Sequence, residues 1–480
     1  MRKEPPIKSK YLHHFRIVLL SSIFCFSNVA NGQISSPILT LETVFEQVKR
    51  YHPMAGRALM QRDFAAAELL KAKGGFDPTA QSTISQKYFN NKDYYSLVNG
   101  EIKIPTWTGA EIKGGYDLNR GIYLGPENAT PDNGLWYAGV SVPLGQGLWI
   151  DERRADVKNA KIGQNLANNQ QQNMINDVLF QTANAYWDWF RAYHVRQILN
   201  DAAENARLRY QAVRSFALKG DRPGIDTIEA GIQVQNISLG LSQAEMELIK
   251  ASNALSGQMW DENMLNVGFA TNTVPLDLET VSQTAKNDGQ KINSSLIPAS
   301  HPYLEVLRQK LLQLEVEKSL KRDKLKPRLN VQYNPLSEAF GGTETTHFSI
   351  NNYKWGMEFK MPLFLRKERG EIKLADLKIQ ETDMLLREKT NEIGIKFENY
   401  ITEWQATMDQ IDIFSNTVEL YREMLDAERR LFNIGESSLF LVNSREQAYI
   451  NARIKLTEIL SKNKMSYYSI WYFAGKLPDI

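Results

Sequence analysis

Two histidines stand directly before prolines at matching places, His52-Pro53 and His301-Pro302. The symmetry suggests a pair of metal ligands, but no other histidine or cysteine lies at a usable spacing. Helix–turn punctuation is the better reading. The sequence holds no phosphate-cradling loop, nucleophile elbow or H-E-x-x-H pattern. Carboxylates are spread as on any helical surface, so no pair stands out as acid and base. Asp226 and Glu229 follow Gly220 closely, and Asp226 is placed to favour the positive N-terminal turn of a helix. Arg222, Arg445 and Glu446 near the same kind of turn could tie neighbouring rods together, but a solvated face is the better reading for each. The single cysteine, Cys25, lies in an N-terminal apolar run. The rest of the chain therefore has no disulfide, thiolate site or sulfur nucleophile. These residues point to no enzyme, no cofactor and no metal.

What the chain does have is length. Residues 151–220 contain no proline, and Gly163 is their only glycine before Gly220. Good helix formers dominate them. Seventy helical residues would make a rod of ~105 Å, against about 8–20 residues for an ordinary globular helix. Such a rod needs a bundle, a coiled coil or a tube wall. Residues 369–433 make a second proline-free rod, aligned to the first without a gap. Arg154 maps to Arg369, Ala160 to Ala375, Trp189 to Trp404 and Gly220 to Gly435. A constant shift over this length marks a duplication.

The N-terminus reads as a secretory signal over residues 1–32: five basic residues, an apolar run at 17–26, and small residues Ala30 and Gly32 before the cut. The apolar run is too short to span a bilayer. Ser22, Ile23 and Phe24 before Cys25 do not suit lipid attachment. Removing five positive charges and one negative takes the net charge from +2 to −2, and no basic stripe with interleaved aromatics suggests nucleic acid. No other segment approaches ~18 uninterrupted apolar residues, which excludes a helical membrane protein. If the chain crosses a membrane, it does so as a closed β-barrel.

Residues 39–73 read as one helix, with Thr40 as cap and Glu42 near its positive end, stopped by Gly74, Gly75 and Pro78. Residues 301–326 match it. Between helix and rod, residues 79–143 alternate with many aromatic and β-branched residues. Candidate strands are 79–89, 95–104, 111–118 and 136–142, with a turn at 90–93, a tight connection at 105–109 and a polar loop at 125–134. The second half repeats this in shorter form, with strands at 328–333 and 353–361 and a loop at 334–352. The first half holds 34 extra residues, about one hairpin, so four to six strands are expected per chain. Tyr94, Tyr95, Trp107, Tyr116, Tyr123, Trp136, Tyr137, Tyr353 and Trp355 suit the aromatic girdles of an outer-membrane barrel. Their alternative is the core of a soluble sheet. Each rod is followed by a turn and a return helix, 225–259 and 439–473. Residues 260–300 show no clear period and read as a connector packed around the rods.

This order resembles the TolC-type outer-membrane efflux proteins over nearly the whole chain after the signal. Leu39-Thr40-Leu41-Glu42 followed by His52-Pro53 is similar to that family's opening helix. Val142-Pro143-Leu144 and Met361-Pro362-Leu363 resemble its strand-to-rod junctions, and residues 216–226 and 431–441 its hairpin tips. The resemblance implies an α+β membrane protein with tandem-duplicated long helical hairpins forming an α-barrel, and strands contributed to a trimeric transmembrane β-barrel. It divides the chain into a signal (1–32), a first repeat (33–259), a connector (260–300), a second repeat (301–475) and a tail (476–480). Four strands cannot close a barrel alone; three copies would give twelve, and six strands each would give eighteen.

The resemblance also implies partners and sites. A homotrimer would sit in outer-membrane lipid with its helical body in the periplasm. A periplasmic adaptor would meet the tips at Gly220, Asp221, Arg222, Gly435, Glu436 and Ser437, and join the trimer to an inner-membrane pump of RND or ABC type. Asp226, Glu229, Arg445 and Glu446 would stand near a periplasmic gate. Acidic residues triplicated there would form carboxylate rings, although the second half holds Leu441 and Ser444 at the offsets of Asp226 and Glu229. The implied function is a passive exit channel for efflux or type I secretion. A soluble periplasmic coiled-coil adaptor is the alternative. A secreted hydrolase with a helical stalk lacks a catalytic constellation.

Overall fold

The computed structural model describes residues 37–269, 272–288, 292, 300–338 and 348–479. The signal and its cut after Gly32 lie outside these residues, as does most of the loop between the last two strands. In chain order the elements are α1 (Leu41–Tyr51), α2 (Pro53–Gly74), β1 (Thr79–Phe89), β2 (Lys92–Pro105), β3 (Glu111–Arg120) and β4 (Leu135–Pro143). The rod α3 (Glu152–Lys219) and its return helix α4 (Gly224–Ser256) complete the first half. Then come α5 (Leu278–Asp288), α6 (Pro302–Asp323), β5 (Arg328–Ser337), β6 (Ser349–Lys360), the rod α7 (Arg366–Asn433) and its return helix α8 (Leu439–Phe473).

Both rods are 68 residues long, or about 102 Å at 1.5 Å per residue. Asp151 starts α3 by accepting a hydrogen bond from the Arg154 N–H at 2.8 Å, which satisfies an otherwise orphaned donor. Glycine stops both rods. Gly220 and Gly435 sit at φ +83° and +84°, and the next N–H groups, of Asp221 and Glu436, bond back to Phe216 and Leu431. A Cβ at either glycine would meet open space, so it is the left-handed backbone that requires glycine here, not crowding within the chain.

The single helix expected at 39–73 is two helices. Proline at 53 lacks an N–H and pushes the preceding residue out of the helical region. His52 accordingly takes an extended conformation and caps α2, its Nδ1 accepting from the Met54 N–H at 3.1 Å. His301 repeats this on α6, accepting from the Tyr303 N–H at 3.1 Å. The punctuation reading of both histidines holds.

Each rod folds against its return helix, α3 on α4 and α7 on α8; α2 lies along α3, α6 lies against both rods, and α8 packs back on α3. The largest core sits halfway along the rods. Tyr186, Trp187, Trp189 and Phe190 of α3 pack there with Phe45 of α1, Val281 of α5 and Tyr467 and Tyr468 of α8. Fully burying each such side chain contributes about 1.5–3 kcal/mol. The connector supplies α5 to this belt, a helix too short for its period to stand out in the sequence. Lys464 of α8, itself buried, pins its end through Asp288 at 2.6 Å and Thr284 at 3.0 Å.

The six strands form one sheet in the order β1-β2-β3-β4-β5-β6, every neighbour antiparallel. Strand number thus falls at the top of the expected range. The strands run longer than the sequence suggested at β2, β3, β4, β5 and β6, the last starting at Ser349 and ending at Lys360 where 353–361 was expected, and the β1–β2 turn narrows to Asn90 and Asn91, both at positive φ.

Candidate functional site

The sheet has two chemically distinct faces, and the pairing register keeps them in phase across all six strands. One face carries Ile84, Ile102, Ile104, Ile112, Val140, Val142, Val331, Trp355, Met357 and Phe359. Ile112 stands beside both Ile104 and Val140, and Val142 beside Val331, which stands beside Met357. Among the described residues no helix packs across this face, and it is open: Ile84 is 74% exposed, Trp355 and Phe359 64% each. A soluble sheet buries its apolar face.

The other face is polar. Asn99 donates to Asp117 at 2.7 Å, Gln81 donates to Glu101 at 3.0 Å, and Lys103 pairs with Glu101 at 2.9 Å. Tyr137 donates to the same Glu101 at 3.0 Å from two strands away. It reaches over Gly115, which lies between them in one register row. A Cβ on Gly115 would meet the Tyr137 ring at 2.5 Å. Alternation therefore puts Tyr95 and Tyr137 on the polar face, away from a girdle. Tyr94 packs at a tilt against Tyr123 (ring centroids 4.6 Å) and Tyr116 likewise against Trp136 (4.7 Å). Trp107 is at the sheet's opposite end, in the β2–β3 turn against Phe76 at 5.3 Å. Tyr353 pairs with Tyr333 at 5.5 Å.

At the far end of the rods the two hairpin tips are tied together. Arg222, in the first turn, lays its guanidinium over the Phe432 ring at 3.9 Å and donates to the Phe432 carbonyl at 3.2 Å. Asp226 stands in the first turn of α4, 3.8 Å from Arg222, and Glu229 accepts from Asn443 at 3.2 Å. Glu446 is only 3% exposed. It takes Arg209 of α3 on one oxygen and Arg429 of α7 on the other, the latter at 3.0 Å. The expectation of a solvated face is corrected for Glu446 and Arg222, since both join elements of different halves. Arg445 faces Glu428 at 3.7 Å and is part-exposed. Asp221, Glu436 and Ser437 lie on the two turns, Ser437 bonded to Glu428. Arg209, Arg429 and Phe432 were not legible as partners, because their meeting depends on which faces of α3 and α7 converge.

Burial pushes His52, His194 and His301 below the ordinary imidazole value. His301 uses Nδ1 as acceptor and Nε2 as donor to the Tyr472 carbonyl at 3.2 Å, which is the neutral Nε2–H tautomer. Among the described residues no group of three or more His, Cys, Asp or Glu is placed to hold a metal, and no helix is long and apolar enough to cross a membrane.

An up-and-down antiparallel sheet with an uncovered apolar face, mounted on paired helical rods, is the architecture that the sequence resemblance implied. No protein-family model matches the chain, and no curated protein does. Solved structures do match. The CmeC outer membrane channel of Campylobacter jejuni is 16% identical with a TM-score of 0.62, over 91% of this chain and 86% of that one. VceC, an outer membrane protein of Vibrio cholerae, is 13% identical with a TM-score of 0.62, over 91% and 96%. The open-state MtrE outer membrane channel of Neisseria gonorrhoeae is 12% identical with a TM-score of 0.60, over 91% and 89%. The chain has the fold of these outer-membrane channels.

Proposed function

We propose that the chain is a passive exit duct of the outer membrane, assembled as a homotrimer with its rods extending into the periplasm. The uncovered apolar face carries this reading. It has the chemistry of a lipid-facing barrel wall, and the polar face behind it has that of a water-filled lumen. The rods continue the lumen as a helical tube. The duct catalyses nothing; energy and cargo choice come from an inner-membrane pump of RND or ABC type, joined through a periplasmic adaptor at the tips around Gly220 and Gly435. By the family resemblance Asp226, Glu229, Arg445 and Glu446 would stand near the narrowing of such a tube, Glu446 as a buried tie between its helices. A soluble adaptor is disfavoured, because it would leave Ile84, Trp355, Met357 and Phe359 in water. Fractionation and planar-bilayer recording test the proposal: outer-membrane location with stable ion conductance is expected, and a freely soluble, non-conducting protein would overturn it.

A further inference from the structure

The two halves do not contribute equally to the sheet. Pro78 and Pro143 bracket four strands, whereas Pro327 and Pro362 bracket two. By position β1 corresponds to β5 and β4 to β6, leaving the β2–β3 hairpin, residues 92–120, without a counterpart. An inserted hairpin could fold aside as a decoration. This one is threaded into the ladder, with β2 paired to β1 along its length and β3 paired to β4. It therefore adds to the sheet's width.

The sheet ends on β1 and β6, whose outer edges are unpaired among the described residues. An exposed edge is a template for another strand. These two edges suit one another. They run in opposite directions, and their lengths match at 11 and 12 residues. Each keeps the same alternation, with Gln81, Thr83 and Ser85 on the polar face of β1 and Lys354 and Glu358 on that of β6. The sheet is also already sheared as a barrel wall. The row Pro105, Glu111, Ser141, Gln332, Gly356 starts at the last residue of β2 and ends four residues before the end of β6. That is about one residue of stagger per pairing, a strand tilt of about 35°, which lies in the range closed barrels require.

Resting on the trimeric duct proposed above, we infer that β6 of each copy pairs antiparallel with β1 of the next, closing a barrel of eighteen strands. Continuing the stagger puts Gly356 opposite Thr83 of the neighbouring copy, Glu358 opposite Gln81 and Lys354 opposite Ser85. Six strands alone would close at about 11 Å between backbones, too tight for side chains, whereas twelve would give about 22 Å and eighteen about 34 Å. The inserted hairpin thus widens the outer mouth.

Disulfide trapping tests the joint, since Cys25 is the only native cysteine. The chain carrying both Gln81→Cys and Glu358→Cys is expressed and oxidised in membranes, alongside the Thr83→Cys/Gly356→Cys and Ser85→Cys/Lys354→Cys pairs. The expected result is a covalent ladder ending at three copies for at least one pair. A ladder ending at two, an intramolecular bond only, or no bond from any pair overturns the inference. If the variants stay in the outer membrane and conduct while the ladder is missing, the eighteen-strand closure fails and the duct survives. If they are soluble and do not conduct, the duct itself fails. Electron cryomicroscopy of the unaltered protein gives a second reading: eighteen strands in one ring are expected, and a ring that leaves residues 92–120 outside it contradicts the inference.

Discussion

Tyr137 on β4 donates a hydrogen bond to Glu101 on β2 at 3.0 Å, although β3 runs between them. Gly115 makes this geometry available by leaving the ring a flat strip of backbone to lie on. Tyr137→Phe should lower stability by about 1 kcal/mol, the usual net worth of a hydrogen bond. Gly115→Val should cost more, because its side chain would collide with the ring and with the Gly100 carbonyl at 2.5 Å. Unfolding midpoints in detergent, with the two variants ranked against the parent, check this order.

The apolar face should punish charge and the polar face should not. Val140→Lys, in the row with Ile112 and Tyr333, would put an ammonium into lipid at a cost of about 2–4 kcal/mol if it lies near the bilayer midplane. Gln332→Lys, on the opposite face, should be close to neutral. Yield of heat-resistant oligomer from the outer membrane separates the two; equal behaviour would mean that the face does not meet lipid.

Glu446 joins three helices at the tips. Glu446→Gln removes the charge shared by Arg209 and Arg429 and should cost about 3 kcal/mol, as expected for breaking a buried pair from one side. The damage should be local, appearing as faster amide exchange near Arg209 and Arg429. Arg445→Ala, at a part-exposed pair, should cost under ~1 kcal/mol.

The cap histidines give a pH dependence with a definite sign. His301 is buried as the neutral tautomer, and its folded-state value lies below the ordinary one. The unfolded chain therefore binds the proton first. The stabilisation is fully present above the ordinary imidazole value of about 6.5 and is lost as pH falls through the folded one. Unfolding midpoints taken between about pH 7.5 and 5 should decline. His301→Asn keeps an N-cap acceptor but cannot titrate, so its decline should be shallower.

Rods, strands and caps were legible because each rests on local chemistry. The absence of proline from both rods, glycine where φ must be positive, and alternation in the strands all act within a few residues. The break at His52 is equally local; its signal is Pro53, set among good helix formers that favour one continuous helix over 39–73. The helix α5 was hidden by its length. The Glu446 cluster and the Tyr137–Gly115–Glu101 row were hidden for a different reason. They depend on register and on which helix faces meet, and no residue announces a partner some two hundred positions away, as Arg209 does for Glu446. Strand number lay between these cases: the extra residues of the first half gave the hairpin, but only the ladder places it in the sheet.

In the proposed duct this sheet forms a lipid-facing wall around water. Single-channel recording of the purified full-length assembly in planar bilayers tests it most directly. The account predicts stable, long-lived conductance from a trimer-sized particle. A monomeric protein that stays in the aqueous phase and leaves the bilayer silent would contradict it.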